Sequence, residues 1–358
     1  MQNLKIILIT LALLFFPFQF QRRIKKELTP GQCTLLFTGD IHFHQVISNT
    51  IDKGIDPLLY MHKILTEPDY TIGNLETVVS LGGTIQPKTY NFKAPPYMLK
   101  FLTNAGFDIL SLANNHAMDY GADAMIEMLD WLNKYGLFFT GAGTNINQAA
   151  KPILIKKDNI KIGILCFGFQ KPPQLQALSN REGTAGLDWN YIEDSIIQLR
   201  PLVDFLILFI HWGWEYFEVP IPEQKYYGHR FIDSGADLIV GHHPHVIEGI
   251  EFYKKGVIFY SIGNFLFYQW EKEKARTAII VKCEITKTGN TILPSYFILP
   301  IYRLSNTLQP IIAGEPERKE ILDRLLNISR LKKSMQWVLE DITQNGITWY
   351  RLKVEEPQ

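Results

Sequence analysis

The sequence predicts an α/β fold in which layered β-sheets are flanked by helices. From residue 34 onward, short runs of β-branched and other apolar residues alternate with longer stretches that have the apolar spacing of helices. Most of these apolar runs are followed immediately by residues of types that can bind metal ions. The composition is that of an ordinary globular protein, with 46% hydrophobic and 20% charged residues in a chain of 358.

Several apolar runs have the length and residue types of buried strands. They lie at residues 34–38, 70–72, 109–113, 162–167, 205–210, 238–240 and 257–261. Helices are predicted between them, at residues 57–65, 96–105, 122–135, 191–199 and 222–234. Residues 271–299 have the pattern of further antiparallel strands around a turn at 288–290.

The chain is long enough for one large domain with a smaller segment at each end. Residues 28–305 are predicted to form the domain, and residues 306–358 a short helical C-terminal appendage. The three cysteines are far apart and no CxxC is present, so neither a zinc ribbon nor a disulfide framework is indicated. The formal net charge is zero, and the sequence gives no indication of a nucleic-acid partner.

Residues 1–27 have the pattern of a signal peptide or a signal anchor. Lys5 precedes an apolar stretch at 6–20, which is short for a bilayer span of ~20 residues but suits the apolar core of a signal peptide. No small-x-small cleavage pattern follows it, so both interpretations stay open. Basic residues lie at 22–26, directly after the apolar stretch. This position does not suit an exported domain, because basic residues are usually found on the cytoplasmic side of a membrane segment. The segment predicts that the rest of the chain is exported across a membrane or anchored at it.

Metal-ligating residue types stand directly after separate predicted strands. They form the blocks Gly39-Asp40-Ile41-His42, Gly73-Asn74-Leu75-Glu76, Asn114-Asn115-His116, His211 and Gly241-His242-His243-Pro244-His245. The functional crevice of an open α/β sheet lies outside the carboxyl ends of its strands. We therefore expect these blocks to meet at one edge of the fold.

The types and spacing of these residues predict a site for two divalent metal ions. Asp40 with His42, and His243 with His245, are i,i+2 pairs, and such residues point to the same side of an extended segment. His242, which precedes the second pair, is the less expected ligand. Carboxylates, imidazoles and amide oxygens together suit Mn, Fe or Zn, and the ligands are too many for one ion. Two ions bridged by a carboxylate can clamp a phosphoryl group.

The order of the blocks resembles the signature of calcineurin-like metallophosphoesterases. More narrowly, GNLETVVS, FKAPP, AGFDILSLANNHAMDYG, HWGWEY, SGADLIVGHHPHVIEG and IFYSIGNFLF are similar to segments of the CapA family of poly-γ-glutamate capsule synthesis proteins. The resemblance covers residues 34–270 or so. It implies a calcineurin-like metallophosphoesterase fold for the domain.

The resemblance also implies a role for each residue of the site. One metal ion would be held by Asp40, His42 and His245, the other by Asn115, His211 and His243, with Glu76 as the bridge. His116 would not bind a metal and would act as an acid or a transition-state stabiliser. Asp119, three residues further on, can orient the His116 ring.

Two features depart from the wider superfamily and resemble the CapA branch. The bridge is Glu76 in a GNLE context, where the superfamily generally has Asp after Gly. Ala117 stands where many phosphoesterases have an acidic residue. Both features weigh against a simple transfer of phosphatase activity.

Other residues near the blocks have two interpretations each. Lys93 can bind an anionic substrate or be an ordinary exposed lysine. The aromatic residues Trp212, Trp214 and Tyr216 can wall the site or pack in the core. Asn264 can support the site from the last strand of the domain.

The resemblance implies two functions, and the sequence leaves both open. In the first, the protein is a metal-dependent hydrolase of a phosphoester or a γ-glutamyl amide. In the second, it is a non-hydrolytic component of a complex that makes or exports an anionic polymer, and the metal site only binds that polymer. The expected partners are the polymer or phosphoester, membrane proteins of capsule synthesis or export, and the membrane itself. The expected location is the cell envelope of a bacterium.

Overall fold

The structure is a computed structural model that describes residues 31–43, 46–170, 172–269, 271–329 and 337–354. The predicted signal segment, residues 1–27, lies outside the described residues. Within the described ranges, no helix has both the length and the apolar character needed to cross a membrane.

The elements are numbered here in chain order. The strands are β1 (Gln32–Ile41), β2 (Tyr70–Leu75), β3 (Val78–Val79), β4 (Lys93–Ala94), β5 (Ile109–Ser111), β6 (Phe138–Thr140), β7 (Ala142–Gly143), β8 (Ile153–Lys157), β9 (Ile160–Gly168), β10 (Gly183–Thr184), β11 (Phe205–His211), β12 (Leu238–His242), β13 (Ile250–Tyr253), β14 (Gly256–Phe259), β15 (Asn264–Leu266), β16 (Thr277–Thr288), β17 (Thr291–Arg303), β18 (Pro310–Ile312), β19 (Trp337–Gln344) and β20 (Ile347–Val354). The helices are α1 (Val46–Asp52), α2 (His62–Thr66), α3 (Leu99–Ala105), α4 (Gly121–Tyr135), α5 (Ile146–Ala149), α6 (Trp189–Leu199), α7 (Pro222–Asp233) and α8 (Glu317–Ser329).

The larger sheet has the strand order β19-β20-β17-β16-β1-β2-β5-β6. Strands β1, β2, β5 and β6 run parallel to one another. Strands β16, β17, β20 and β19 continue the sheet in antiparallel pairs beyond β1. Strand β15 pairs with the carboxyl end of β1, where Asp40 lies opposite Asn264. The parallel half therefore delivers the ends of β1, β2 and β5 to one edge.

The smaller sheet has the strand order β13-β14-β12-β11-β9-β8 and packs face to face on the larger one. Its central strands β9, β11, β12 and β14 run parallel. Alternate side chains of the two sheets share one buried cluster, to which Leu35 and Phe37 of β1 and Ile207 and Phe209 of β11 belong. The ring centroids of Phe37 and Phe209 lie 6.0 Å apart.

Helices cover the outer face of each sheet. Met128 of α4 lies in one buried cluster with Leu110 of β5, on the outer side of the larger sheet. Phe231 of α7 lies in another with Leu208 of β11, on the outer side of the smaller sheet. The resulting order of helix, sheet, sheet and helix layers confirms the predicted fold class.

The predicted strands are present, with shifted ends. The run at 109–113 is a strand only as far as Ser111, and the run at 257–261 only as far as Phe259. The predicted helix at 57–65 is a 3₁₀ turn at Leu59–Met61 followed by α2. Element ends are the least certain part of any prediction from pattern alone, because capping and packing decide them.

The C-terminal region contains a helix followed by a hairpin. Helix α8 lies within the predicted helical appendage. Strands β19 and β20 then pair as a hairpin, and the turn between them consists of Asn345 and Gly346, which both have positive φ. The dipeptide Asn-Gly between two runs of alternating apolar and polar residues favours a tight hairpin turn, so the sequence itself indicates this hairpin. Since β20 also pairs with β17, the region extends the larger sheet.

A close backbone contact at Gly39 brings β1 against the segment that precedes β15. A Cβ atom on Gly39 would lie 1.7 Å from the carbonyl oxygen of Gly263, so only glycine fits there. Asp40 and Asn264 directly follow these two glycines and pair with each other in register. The contact therefore sets the distance between two polar residues at the edge of the sheet.

We expect Gly39→Ala to lower the free energy of unfolding by roughly 1–3 kcal/mol or more, because overpacking a tight contact forces the backbone to shift. Gly314→Ala is the matched control, since nothing lies within 4 Å of its added Cβ. Chemical denaturation of both variants measures the difference. Equal stability of Gly39→Ala and the wild type would contradict the constraint.

Candidate metal centre

The carboxyl ends of the parallel strands of both sheets meet at one edge and bring the predicted residues together. Each of the predicted residues is 9% exposed or less: Asp40, His42, Glu76, Asn115, His116, Asp119, His211, His243 and His245. Strands β1, β2 and β5 deliver the acidic and amide side chains, and β11 and β12 deliver histidines. The predicted convergence at the strand ends is therefore present in the structure.

A first group of potential metal ligands consists of Asp40, His211 and His242. The Oδ1 atom of Asp40 lies 3.9 Å from Nδ1 of His211 and 3.4 Å from Nδ1 of His242. The two imidazole Nδ1 atoms are 2.8 Å apart. Three ligand atoms thus converge on one small volume.

A second group consists of Glu76, His243 and His245. The Oε1 atom of Glu76 lies 3.9 Å from Nε2 of His245 and 3.8 Å from Nε2 of His211. Glu76 therefore lies beside a histidine of each group.

Two contacts match the pairs that the resemblance implied. The Oδ1 atom of Asn115 lies 2.8 Å from Nε2 of His211, and Oδ2 of Asp40 lies 3.3 Å from Nδ1 of His245. His42 belongs to neither ligand group, and its ring packs against Phe92 and Phe267 at centroid distances of 4.2 and 4.6 Å. The division of the ligands between two ions stays a prediction.

The loop after β12 differs from the extended segment that the sequence predicts. The strand ends at His242, and His243 and His245 both adopt positive φ, at 101° and 61°. Such conformations cost on the order of 1–3 kcal/mol for a residue with a side chain. The backbone N–H of His243 donates to Oδ2 of Asp40 at 3.3 Å. A strained turn, rather than an extended segment, therefore presents the two histidines.

His116 and Asp119 form a hydrogen-bonded pair beside the ligands. Nδ1 of His116 lies 2.6 Å from Oδ2 of Asp119, and Nε2 lies 3.9 Å from Oε1 of Glu76. The ring of Phe92 stacks on the imidazole at 4.1 Å. Burial lowers the pKa of His116, and the hydrogen bond to Asp119 opposes that shift. His116 thus faces the ligand cluster while Asp119 holds its far side.

Asn74 is a site residue to which the sequence analysis assigned no role. Its Nδ2 atom donates to Oδ1 of Asp40 at 2.8 Å, and its Oδ1 accepts from Nδ2 of Asn114 at 3.0 Å. Asn114 Oδ1 in turn accepts from the backbone N–H of His116 at 3.0 Å. The signal for Asn74 was its place at the carboxyl end of β2. His242, the less expected ligand, was identifiable by the same rule at the end of β12.

A chain of hydrogen bonds supports His245 from outside. Its Nδ1 lies 2.9 Å from Oδ1 of Asn264, whose Nδ2 donates to Oε1 of Gln269 at 3.0 Å. Gln269 Nε2 donates to the hydroxyl of Tyr216 at 2.8 Å, and the Tyr216 N–H donates to the carbonyl of Pro244 at 2.8 Å. Asn264 therefore supports the site by holding a candidate ligand in place, which is one of the roles that the sequence allowed it.

The structure shows the surroundings of the other residues for which the sequence allowed two interpretations. Trp212 is fully buried and donates from Nε1 to the Tyr260 carbonyl at 3.0 Å, so it packs in the core. Trp214 is 58% exposed. Lys93 Nζ donates to the carbonyl of Gly82 at 3.2 Å and lies over the Tyr120 ring at 4.3 Å, so other parts of the chain hold it in position.

Comparison with known proteins decides the family. The model of the family described as bacterial capsule synthesis protein PGA_cap matches residues 34–269. The chain belongs to this family. The PGA biosynthesis protein CapA of Bacillus subtilis (strain 168) is 32% identical over 311 residues, which cover 85% of this chain and 80% of the relative. The capsule biosynthesis protein CapA of Bacillus anthracis is 30% identical over 78% of this chain and 70% of the relative.

The family match confirms the resemblance to CapA proteins and spans every residue proposed for the site. Among solved structures, the 5'-nucleotidase precursor from Thermus thermophilus aligns with a TM-score of 0.45 at 13% identity. That alignment covers 84% of this chain and 58% of the other. The Haemophilus influenzae NAD nucleotidase aligns with a TM-score of 0.44 at 12% identity, over 85% of this chain and 63% of the other.

Burial and neighbouring groups shift the pKa values of the clustered acids and histidines away from their ordinary ranges. Burial raises the pKa of Glu76 well above its usual range, and the charge of Asp40 adds to that rise. Burial opposes ionisation of Asp40 too, but hydrogen bonds from His242 and His245 hold its pKa well below the usual range. Burial and neighbouring histidines lower the pKa of His211, and lower that of His243 to about 3. Neutral imidazoles are the form that binds metals.

Unsatisfied polar atoms in the cluster fit the donor set of a metal site. Both carboxylate oxygens of Glu76, Nε2 of His242 and Nδ1 of His243 are buried and have no hydrogen-bond partner among the described residues. Leaving buried polar groups unpaired costs free energy, and coordination to a cation removes that cost. Carboxylate, imidazole and amide ligands are those that the predicted ions prefer.

We expect His211→Ala to lower the metal content of the purified protein by about one divalent ion per chain, because His211 is a ligand candidate at the centre of the cluster. His229→Ala is the matched control. His229 lies away from the site, and its Nε2 atom is 3.0 Å from Oε1 of Glu251. Elemental analysis after reconstitution with Mn, Fe or Zn measures the content. Wild-type metal content in His211→Ala would contradict the ligand role.

Proposed function

We propose that this protein is a metal-dependent hydrolase that cleaves a phosphoester or a γ-glutamyl amide during the synthesis or processing of a capsule polymer. The buried carboxylate of Glu76 is the observation that carries the proposal. Its Oε1 atom lies 3.8–3.9 Å from ring nitrogens of His116, His211 and His245. A ligand cluster with an uncoordinated histidine at its margin is an arrangement suited to metal-assisted hydrolysis.

The proposed cofactor is a pair of divalent ions, with Mn, Fe or Zn the most suitable. When bound, such ions supply Lewis acidity, which neutralises charge on the scissile group and lowers the pKa of water. The proposed ligands are Asp40, His42 and His245 for one ion and Asn115, His211 and His243 for the other, with Glu76 between them. The structure adds His242 as a further candidate beside Asp40 and His211.

His116 is the proposed proton donor. Asp119 Oδ2 accepts the Nδ1–H of His116, and this hydrogen bond keeps Nε2 turned toward Glu76. When the ring is protonated, Nε2 can deliver its proton to the leaving oxygen or nitrogen of the substrate. Phe92 covers one face of the imidazole and limits the access of water to it.

A second candidate function is a non-hydrolytic part of a polymer synthesis or export complex. The names of relatives favour it, since one from Mycobacterium tuberculosis is called a probable polyglutamine synthesis accessory protein. In that case the metal site binds the anionic polymer without cleaving it. Hydrolysis assays of the metal-loaded protein on phosphoesters and γ-glutamyl peptides separate the two. Tight polymer binding without turnover on any of these substrates would favour the second function.

We further propose an envelope location, where the partners are membrane proteins of capsule synthesis or export. The apolar stretch at 6–20 and the family's capsule role support this location. We expect the full chain in the membrane or exported fraction of bacterial cells, and a chain without residues 1–26 in the cytosolic fraction. Fractionation with immunodetection measures both. A full chain found wholly in the cytosol would contradict the proposal.

We expect His116→Ala to lower turnover by ~10²–10⁴-fold, because it removes the proposed general acid while the ligand set stays intact. Asp119→Asn should cause a smaller loss, since the ring remains but its orientation weakens. Turnover, metal content and melting temperature are measured on the same preparations. His62→Ala, which removes a histidine outside the site, is the control. An active, fully metallated His116→Ala enzyme would rule out the catalytic role.

A further inference from the structure

The segment of residues 80–92, between β3 and β4, is fastened by two carboxylates. Glu127 of α4 accepts from Oγ of Ser80 at 2.5 Å and from the backbone N–H of Leu81 at 3.0 Å. At the other end, Oδ2 of Asp119 accepts from the backbone N–H of Phe92 at 2.7 Å. The Phe92 ring then packs on His116 and His42. The 80–92 segment therefore borders the proposed catalytic pair.

Lys88 extends from this segment to the same carboxylate. Its Nζ donates both to Oδ1 of Asp119 and to the backbone carbonyl of Asn115. The Lys88 side chain is only 11% exposed, and that of Asp119 is fully buried. One ammonium group thus joins the acid that holds His116 to the backbone of a proposed metal ligand.

The two oxygens of Asp119 have different partners. Oδ1 accepts from Lys88, whereas Oδ2 accepts from the Phe92 N–H and lies 2.6 Å from Nδ1 of His116. A carboxylate held at both oxygens has one orientation, whereas a carboxylate held at one can rotate. The direction of the His116 ring therefore depends on the contact at Oδ1 as well as on that at Oδ2.

We propose that Lys88 is a positioning residue for proton transfer by His116, acting through Asp119. This inference rests on the proposed hydrolase function and adds a residue to it. Without the ammonium group, Asp119 loses its cationic partner in a fully buried place, and such a carboxylate rotates or admits water. His116 Nε2 then loses its fixed direction toward the substrate. Partners of this kind orient catalytic groups without touching the reacting atoms.

The dependence on the leaving group distinguishes a positioning role from a purely structural one. An alkoxide or an amide nitrogen needs a proton as it leaves, whereas a nitrophenolate leaves without one. The assay therefore uses matched pairs, an alkyl and a nitrophenyl phosphoester, and a γ-glutamyl alkylamide and a γ-glutamyl nitrophenyl ester. Whichever pair the wild type hydrolyses is used for the variants.

We expect Lys88→Met to slow the alkyl substrate about 10–100-fold more than the nitro-substituted one, as is typical when a group that orients a site residue is lost. Lys88→Arg should restore most of the difference, because it keeps a cationic donor. Combining Lys88→Met with His116→Ala should slow the alkyl substrate no further than His116→Ala alone. Equal slowing of both substrates by a fully metallated Lys88→Met would overturn the proposal.

Lys93→Met is the matched control on the neighbouring strand. Lys93 fastens β4 to the 80–92 segment through the Gly82 carbonyl and the Tyr120 ring, without a direct contact to Asp119. Loosening the segment there should change the rates of hydrolysis of both substrates by the same factor. If Lys93→Met reproduced the leaving-group dependence of Lys88→Met, the effect would belong to the segment and the proposal would fail.

A second measurement does not need turnover. In ¹⁵N-histidine-labelled protein, the proton between His116 Nδ1 and Asp119 should give a far-downfield resonance that is absent from His116→Ala. It should shift or vanish in Lys88→Met and in the milder Lys88→Gln, and persist in Lys88→Arg and Lys93→Met. An unchanged resonance in folded Lys88→Met or Lys88→Gln would overturn the inference. If the wild type hydrolyses neither pair, the hydrolase proposal fails by itself, and the resonance still tests whether Lys88 orients Asp119 and His116.

Discussion

The face-to-face packing of the two sheets is the constraint on which the site depends. Phe37 and Phe209 meet between β1 and β11, with ring centroids 6.0 Å apart. Asp40 follows Phe37 by three positions, and His211 follows Phe209 by two, so the ligand types lie just beyond the packed core. Sheets pack about 10 Å apart, and side chains at their ends can meet only where that spacing is kept. The contact between Gly39 and Gly263 adds a second fixed distance at the same edge.

The interior created in this way is unusual for a protein core, because it collects carboxylates and histidines rather than apolar groups. Burial pushes the pKa of Glu76 up, while histidine hydrogen bonds hold that of Asp40 down, so two nearby acids have opposite tendencies. His243 and His245 are also held in backbone conformations that side chains rarely adopt. A cluster that costs stability in charge and in strain is typical of a functional site.

The support of the site is divided between the regular sheets and the irregular segments. The strand ends bring the candidate ligands together, whereas His116 and Asp119 are oriented from a loop and from the 80–92 segment. On the other side, Gln269 and Tyr216 support Asn264, which contacts His245.

The sequence by itself determined the α/β class, the main strands, the ligand residue types at their ends and the family, because each is written in local pattern and in motif order. Only the tertiary structure showed which contacts His242 and Asn74 make in the cluster, that His243 and His245 adopt positive φ, and that β20 extends the larger sheet. It also showed that Lys88 reaches Asp119, 31 residues further along the chain. Such contacts depend on how distant segments pack together, and no local periodicity encodes the distance between them.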